Sequence, residues 1–207
     1  MTDSEIVELY KNKAEAVACK IVEYKTLDEA IPYIIKIVEE KTPCELLDDE
    51  DVEKGPLSPN GVPTRVQPVI AAPHCDEAFY KKFSEACEAK GYKCISKGLR
   101  NYLAGIDIGI ANAILGIAET GTCMVDTSKE DIRLSTMICE ISILVLKKST
   151  IKPTLISVAE DLRSHIDANS TSYTTFISGP SRTADIERVG AIGVHGSLEM
   201  HIILLEG

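Results

Sequence analysis

The chain has 207 residues, 44% of them hydrophobic and 26% charged, and 32 Asp and Glu against 22 Lys and Arg give a formal net charge of -10. This composition fits a folded globular domain rather than a disordered or fibrous chain, and its acidity argues against nucleic acid as a partner, because phosphate-backbone binding needs clustered cations. No apolar run approaches the ~20 residues that span a bilayer, and Met1-Thr2-Asp3-Ser4-Glu5 lacks the basic start of a secretion signal, so a single cytoplasmic domain over 1–207 with no membrane partner is expected.

Thr2-x-x-Glu5 and Thr26-x-x-Glu29 are capping boxes that predict helices near residues 4–19 and 27–41, with a short strand at 21–24 between them. These make an N-terminal helical segment, 1–42. Residues 43–67 hold Pro43, Pro56, Pro59 and Pro63 beside the acidic run Asp48-Asp49-Glu50-Asp51, and read as one long loop, either a lid or a solvated excursion. Residues 69–72, 76–90 and 92–95 follow as strand, helix and strand, with Gly91 ending the helix, which is a βαβ unit. Apolar runs at 106–117 and 122–126 meet at a turn, Glu119-Thr120-Gly121-Thr122, where glycine permits positive φ. Residues 141–146 read as a nearly continuous apolar strand, 156–166 as a helix, and 173–177, 191–194 and 200–205 as closing strands. Strands apolar on both faces imply a mostly parallel sheet covered by helices, an open α/β sandwich.

In such sheets ligands gather at the carboxyl ends of strands. Ser178-Gly179-Pro180-Ser181-Arg182-Thr183 leaves a strand and combines hydroxyls, backbone N–H groups and a guanidinium, a set that suits a small carboxylate or phosphate, with Asp185 and Glu187 to orient the arginine. The plainer account is that Ser181 or Thr183 caps a helix and Arg182 makes a surface ion pair. Glu119, beside Thr120, Gly121 and Thr122, is a candidate nucleophile or general base, or a solvent-facing turn residue. His195, within Gly193-Val194-His195-Gly196, is a candidate proton carrier, or a buried structural imidazole. Ser181, Asp185 and His195 match a hydrolytic triad in residue type, but the segment is not a G-x-S-x-G elbow.

Seven cysteines occur with no C-x-x-C pair, which signals neither a disulfide framework nor a zinc or iron–sulfur cradle, and His74-Cys75 alone is a weak metal motif. No G-x-G-x-x-G follows a strand, so no nicotinamide fingerprint is present and no cofactor is expected.

Ala118-Glu119-Thr120-Gly121-Thr122, the run from Ile177 to Glu187 and Gly193-Val194-His195-Gly196 resemble, in order and spacing, the signature of the LUD domain, the lactate-utilisation C type; the likeness covers 107–205. The resemblance implies a three-layer Rossmann-like sandwich of the NagB/RpiA/CoA transferase-like group. It also implies a non-redox part in the oxidation of L-lactate to pyruvate beside iron–sulfur companion proteins. Members often carry a Leu- and Pro-rich segment with a histidine before the strand at 141–146, where this chain has Met137-Ile138-Cys139-Glu140-Ile141-Ser142. Two functions follow: an accessory subunit binding a small anionic ligand or a partner through Ser178, Ser181, Arg182 and His195, or a stand-alone acyl/CoA transferase-like or phosphosugar-binding enzyme with Glu119 as nucleophile. Homo-oligomerisation and catalysis by the chain alone are left open by the sequence.

Overall fold

The computed structural model describes residues 1–47, 52–102, 105–168, 172–183, 191–192 and 196–207. Helix α1 (Asp3–Ala16) starts with the complete capping box: Thr2 Oγ1 accepts the Glu5 N–H, and the Glu5 carboxylate accepts the Thr2 N–H at 2.7 Å. It leads into β1 (Cys19–Tyr24). A single 3₁₀ turn, begun by Thr26 accepting the Glu29 N–H, precedes α2 (Ile31–Glu40), whose Pro32 sits in the first turn where its missing N–H costs nothing.

Next come the hairpin β2 (Lys54–Leu57) and β3 (Pro63–Arg65), then β4 (Val69–Ala71), α3 (Glu77–Glu88), capped by Asp76, and β5 (Lys93–Ile95). Strands β6 (Ile106–Asn112), β7 (Leu115–Ile117) and β8 (Thr122–Asp126) precede α4 (Glu130–Met137) and β9 (Cys139–Lys147). The chain closes with β10 (Ile151–Lys152), α5 (Ala159–Ala168), β11 (Thr174–Ile177), β12 (Arg182–Thr183), β13 (Ala191–Ile192) and β14 (Glu199–Leu205).

A six-stranded sheet in the order β1-β14-β9-β6-β4-β5, parallel at every junction, forms the centre. Its inner strands are largely apolar on both faces, as the sequence implies, whereas the edge strands β1 and β5 carry the exposed Lys20, Glu23 and Lys93. One face packs Ile108, Ile110, Ile141, Ile143 and Ile203 against α2 and α3; the other packs Ala111, Leu144, Met200, Ile202 and Leu204 against α1 and its surroundings. A second sheet, β10-β7-β8-β11, is mixed and lies on the α1 side.

Three expectations change. The 43–67 segment is not simply a loop: β2 pairs with β3, and Glu45 bridges Thr64. Helix α4 is a further element, inconspicuous in sequence because it is short and has no side-chain cap. The strand at 173–177 does not join the parallel sheet; it is the antiparallel neighbour of β8, and its partly exposed residues reflect that lateral position.

A polar link ties α2 to the central sheet. Tyr33 Oη lies 2.7 Å from His201 Nδ1, and His201 Nε2 lies 3.3 Å from Glu199, which also holds Lys20. Burial pushes the His201 imidazole below its ordinary 6.5, against the raising effect of Glu199. A folded-state pKa below the unfolded value means that the unfolded chain binds the extra proton first, so stability is full above 6.5 and declines as pH falls toward the folded value. His201→Gln is therefore expected to flatten the acid side of a plot of unfolding free energy against pH in that window. His74, lowered by desolvation and Lys129, contributes a residual slope of the same sign.

Candidate functional site

The two polar turns singled out in the sequence meet at the carboxyl end of α1. Gly121 has φ +64°, and a Cβ there would stand 2.3 Å from Ala14 N; Gly179 has φ +83°, and its Cβ would stand 2.3 Å from the Val17 carbonyl oxygen. Only glycine allows both the left-handed backbone and so close an approach to a helix end. The contact brings Thr122 against Ser178: Thr120, Thr122 and Ser178 form a hydroxyl chain with both O···O separations at 2.7 Å. It runs from exposed Thr120 inward to Thr122, which is 5% exposed.

Beyond Ser178 the loop roofs a cavity of about 180 Å³. Gly179 and Ser181 form the roof, the end of α4 (Thr136, Met137) one wall, Gly196 and Ser197 another, and Ser142 and Met200 the floor. Ser181 N–H donates to the Ser197 carbonyl at 3.0 Å, and a Cβ on Gly196 would come within 3.0 Å of Ser181 Cβ, so these loops are packed together. The floor follows from strand register: Gly109, Ser142, Met200 and Cys19 stand side by side on β6, β9, β14 and β1.

The cavity thus lies near the amino-terminal ends of β9 and β14, not at the carboxyl ends expected. The reason is that β11, which delivers the loop, belongs to the lateral sheet, so the rule for parallel strands does not govern its rim.

Among the described residues no charged side chain lines this cavity, and the polar side chains that do are hydroxyls. Thr136 Oγ1 donates to the Ile132 and Arg133 carbonyls, and Thr175 Oγ1 pairs with Thr127 Oγ1 at 2.7 Å. Ser142 is 2% exposed; its Oγ has no strong hydrogen-bond partner among the described residues, and its weak contact with the Cys139 thiol lowers that thiol's pKa. Burial nevertheless lifts that thiol to about 11, and it donates to the Ser135 carbonyl. A buried hydroxyl without a strong partner costs roughly 1–3 kcal/mol.

The remaining candidates divide. Pro180 is buried in the loop, and Arg182 is exposed at its end, where β12 pairs Arg182 with Ile192 and Thr183 with Ala191. Burial raises the Cys19 thiol to about 11, while the Gly179 amide and the Arg182 charge oppose that rise. Cys19 thus belongs to the loop's surroundings, and in the same core cluster the Tyr10 hydroxyl lies 2.9 Å from Cys123 Sγ. Glu119 turns away: its carboxylate accepts the Leu155 N–H at 2.5 Å and starts the turn ahead of α5. Asp185, Glu187, Gly193 and His195 lie outside the described residues. Sequence reasoning missed Ser142, Ser197, Thr136 and Cys19; the one available signal was Ser142, a lone hydroxyl inside an apolar strand.

Among the described residues, no group of three or more His, Cys, Asp and Glu is placed to hold a metal ion, and no helix is long and apolar enough to cross a membrane.

These features define a Rossmann-like α/β sandwich whose hydroxyl-lined cavity is roofed by a loop from a lateral sheet. The LUD domain family model matches residues 7–205, and the chain belongs to that family. It is 35% identical to Escherichia coli YkgG over 101 residues, 48% of this chain and 44% of that protein. It is 36% identical over 104 residues to lactate utilization protein C of Halalkalibacterium halodurans, with 48% and 44% covered, and 32% identical over 101 residues to that of Bacillus subtilis, with 48% and 42% covered. Each alignment therefore spans less than half of the relative. The crystal structure of a DUF162 family protein from Deinococcus radiodurans matches the fold with a TM-score of 0.61, covering 99% of both chains at 13% identity.

Proposed function

We propose that this chain serves in lactate utilisation as a non-redox component that binds a small carboxylate under the 178–182 loop and works beside iron–sulfur companion proteins in the cytoplasm. The observation that carries the reading is Ser142, a buried hydroxyl with no strong hydrogen-bond partner among the described residues, at the floor of the cavity that this loop covers. The described walls, hydroxyls beside apolar groups, suit the uncharged end of such a ligand, a methyl with a hydroxyl or keto oxygen. The exposed Arg182 at the loop's end suits the carboxylate. Relatives named lactate utilization protein C support the pathway assignment. The cysteines support a non-redox part, since none shows a cluster spacing. Glu119 acts here as a backbone cap rather than a nucleophile, consistent with its bond to Leu155.

Thermal unfolding with L-lactate, pyruvate, phosphosugars and CoA esters tests this. A ligand at about 100 times its Kd adds about 2.7 kcal/mol to the folded state, a shift of several degrees. L-lactate or pyruvate is expected to produce it, and Arg182→Ala to reduce it. Ser142→Ala is expected to abolish the ligand shift while leaving the unliganded melting temperature equal or higher, because the variant removes an unsatisfied polar group. Stabilisation by phosphosugars or CoA esters alone would refute the reading.

A further inference from the structure

The thiols of Cys87 and Cys94 meet at an edge of the central sheet, between the last turn of α3 and β5. We propose that they are a peroxide-reactive pair that closes reversibly into a disulfide.

The fold makes this pair, since the two residues form no sequence motif. Phe79, Phe83 and Cys87 recur every four residues along α3 and face the sheet, and Cys87 is fully buried. The chain then reverses at Gly91, which has φ +77°, and the Tyr92 N–H donates back to the Cys87 carbonyl at 2.9 Å. Strand alternation places the second thiol. Tyr92 and Cys94 pack on the α3 side, against the cluster that holds Cys87, whereas Ile95 packs on the opposite side. Register with β4 sets Cys94 beside Ile70, a member of the same cluster, and the two thiols are hydrogen-bonded to each other.

The two sulfurs take different roles. Cys94 is partly exposed on an edge strand, so an oxidant reaches it first; Cys87 is enclosed. The hydrogen bond from Cys87, with a further one from Tyr80, holds the Cys94 thiol below its ordinary 9.0 against the opposing effect of burial. The other six thiols are all raised, chiefly by burial at Cys19, Cys44, Cys75, Cys123 and Cys139 and by the Cys94 contact at Cys87. Cys94 is therefore the attacking thiolate and Cys87 the resolving thiol. Cys94 Sγ attacks one peroxide oxygen, the O–O bond breaks, and the other oxygen leaves as hydroxide and takes up the Cys94 proton as water. Cys87 Sγ then attacks the sulfenic sulfur, the S–O bond breaks, and the hydroxyl leaves with the Cys87 proton as a second water. Two thiols lose two electrons to one peroxide, and a dithiol reductant reverses the change by exchange. None of the residues lining the hydroxyl cavity takes part, and the chemistry does not depend on the lactate reading.

Treatment of the reduced full chain with one equivalent of hydrogen peroxide, followed by peptide mapping, tests the proposal. Trypsin cuts after Lys90 and Lys93, between the two cysteines, so the link is seen directly as two joined peptides. The expected product is lighter by two hydrogens, carries a Cys87–Cys94 link, shows five rather than seven thiols after denaturation, and regains all seven with dithiothreitol. Before oxidation, iodoacetamide is expected to label Cys94 at least about tenfold faster than Cys75, the other partly exposed thiol. Cys87→Ala is expected to stop the reaction at a Cys94 sulfenic acid that dimedone traps, and Cys75→Ser to leave the link intact. If Cys87→Ala folds poorly, Cys94→Ser, at a partly exposed position, carries the variant test and is expected to abolish the link. A link through Cys75, a disulfide formed only between chains, survival of all seven thiols, or equal labelling of Cys75 and Cys94 would overturn it.

Discussion

Asp107→Ala is expected to destabilise the chain by about 3–5 kcal/mol, the range for breaking a buried ion pair by removing one partner. Asp107 is 1% exposed at the start of β6 and serves three groups at once. Oδ1 accepts the Lys41 ammonium at 2.8 Å and the Cys44 N–H at 2.9 Å, and Oδ2 accepts the Val69 N–H at 2.8 Å. The carboxylate thereby ties the segment after α2 to β6 and to the first residue of β4. Its loss orphans two backbone donors and leaves Lys41, whose side chain is 10% exposed, with Glu140 as its remaining carboxylate. Total stabilities of ~5–15 kcal/mol make this a large fraction of the whole. Urea unfolding is the measurement: the midpoint should fall with the slope nearly unchanged. Adding Lys41→Met to Asp107→Ala should recover part of the loss, because the stranded charge is gone, and a purely additive double variant would argue against the network.

The parallel sheet was legible because its strands declare themselves: Ile141-Ser142-Ile143-Leu144-Val145-Leu146 is apolar on both faces, as a strand covered on both sides must be. The lateral sheet does not declare itself in this way. Thr174-Thr175-Phe176-Ile177 carries two hydroxyls and stays partly exposed, a weaker pattern that fits an edge strand, yet propensity alone does not say which sheet it joins. The 178–182 loop stood out through its glycine, proline and hydroxyl content, and its convergence with the 119–122 turn follows from Gly121 and Gly179 both abutting α1. The cavity floor could not be read in the same way. Ser142 becomes part of a site only when register sets it beside Met200 and Gly109, and register between strands more than thirty residues apart is a tertiary fact. Cys19 likewise reads as a small apolar residue until the loop folds over it.

Gly109→Ala should be the most damaging glycine-to-alanine change among the described residues, and its effect should reach the cavity. A Cβ at Gly109 would stand 1.8 Å from the Ser135 carbonyl oxygen, 2.7 Å from its carbonyl carbon and 2.9 Å from Cys139 Sγ. The obstacle is backbone, so no rotamer change relieves it; either β6 or α4 must move. Overpacking of a well-filled interior costs roughly 1–3 kcal/mol, and a clash with a helix carbonyl belongs at or above the top of that range. Helix α4 is the softer element, eight residues long with no side-chain cap, so it is the one expected to shift. Its last residues, Thr136 and Met137, form a wall of the cavity, and the Cys139 thiol gives its hydrogen to the Ser135 carbonyl. The variant is therefore expected to unfold at a lower urea concentration and, in its remaining folded fraction, to lose any stabilisation by lactate or pyruvate. Thr2→Ala supplies the control: it costs about 1 kcal/mol through a lost helix cap and is remote from the cavity, so it should lower stability while retaining the ligand shift. Retention of the full ligand shift by Gly109→Ala would mean that α4 does not shape the cavity, and the site would have to be redrawn around the 178–182 loop alone.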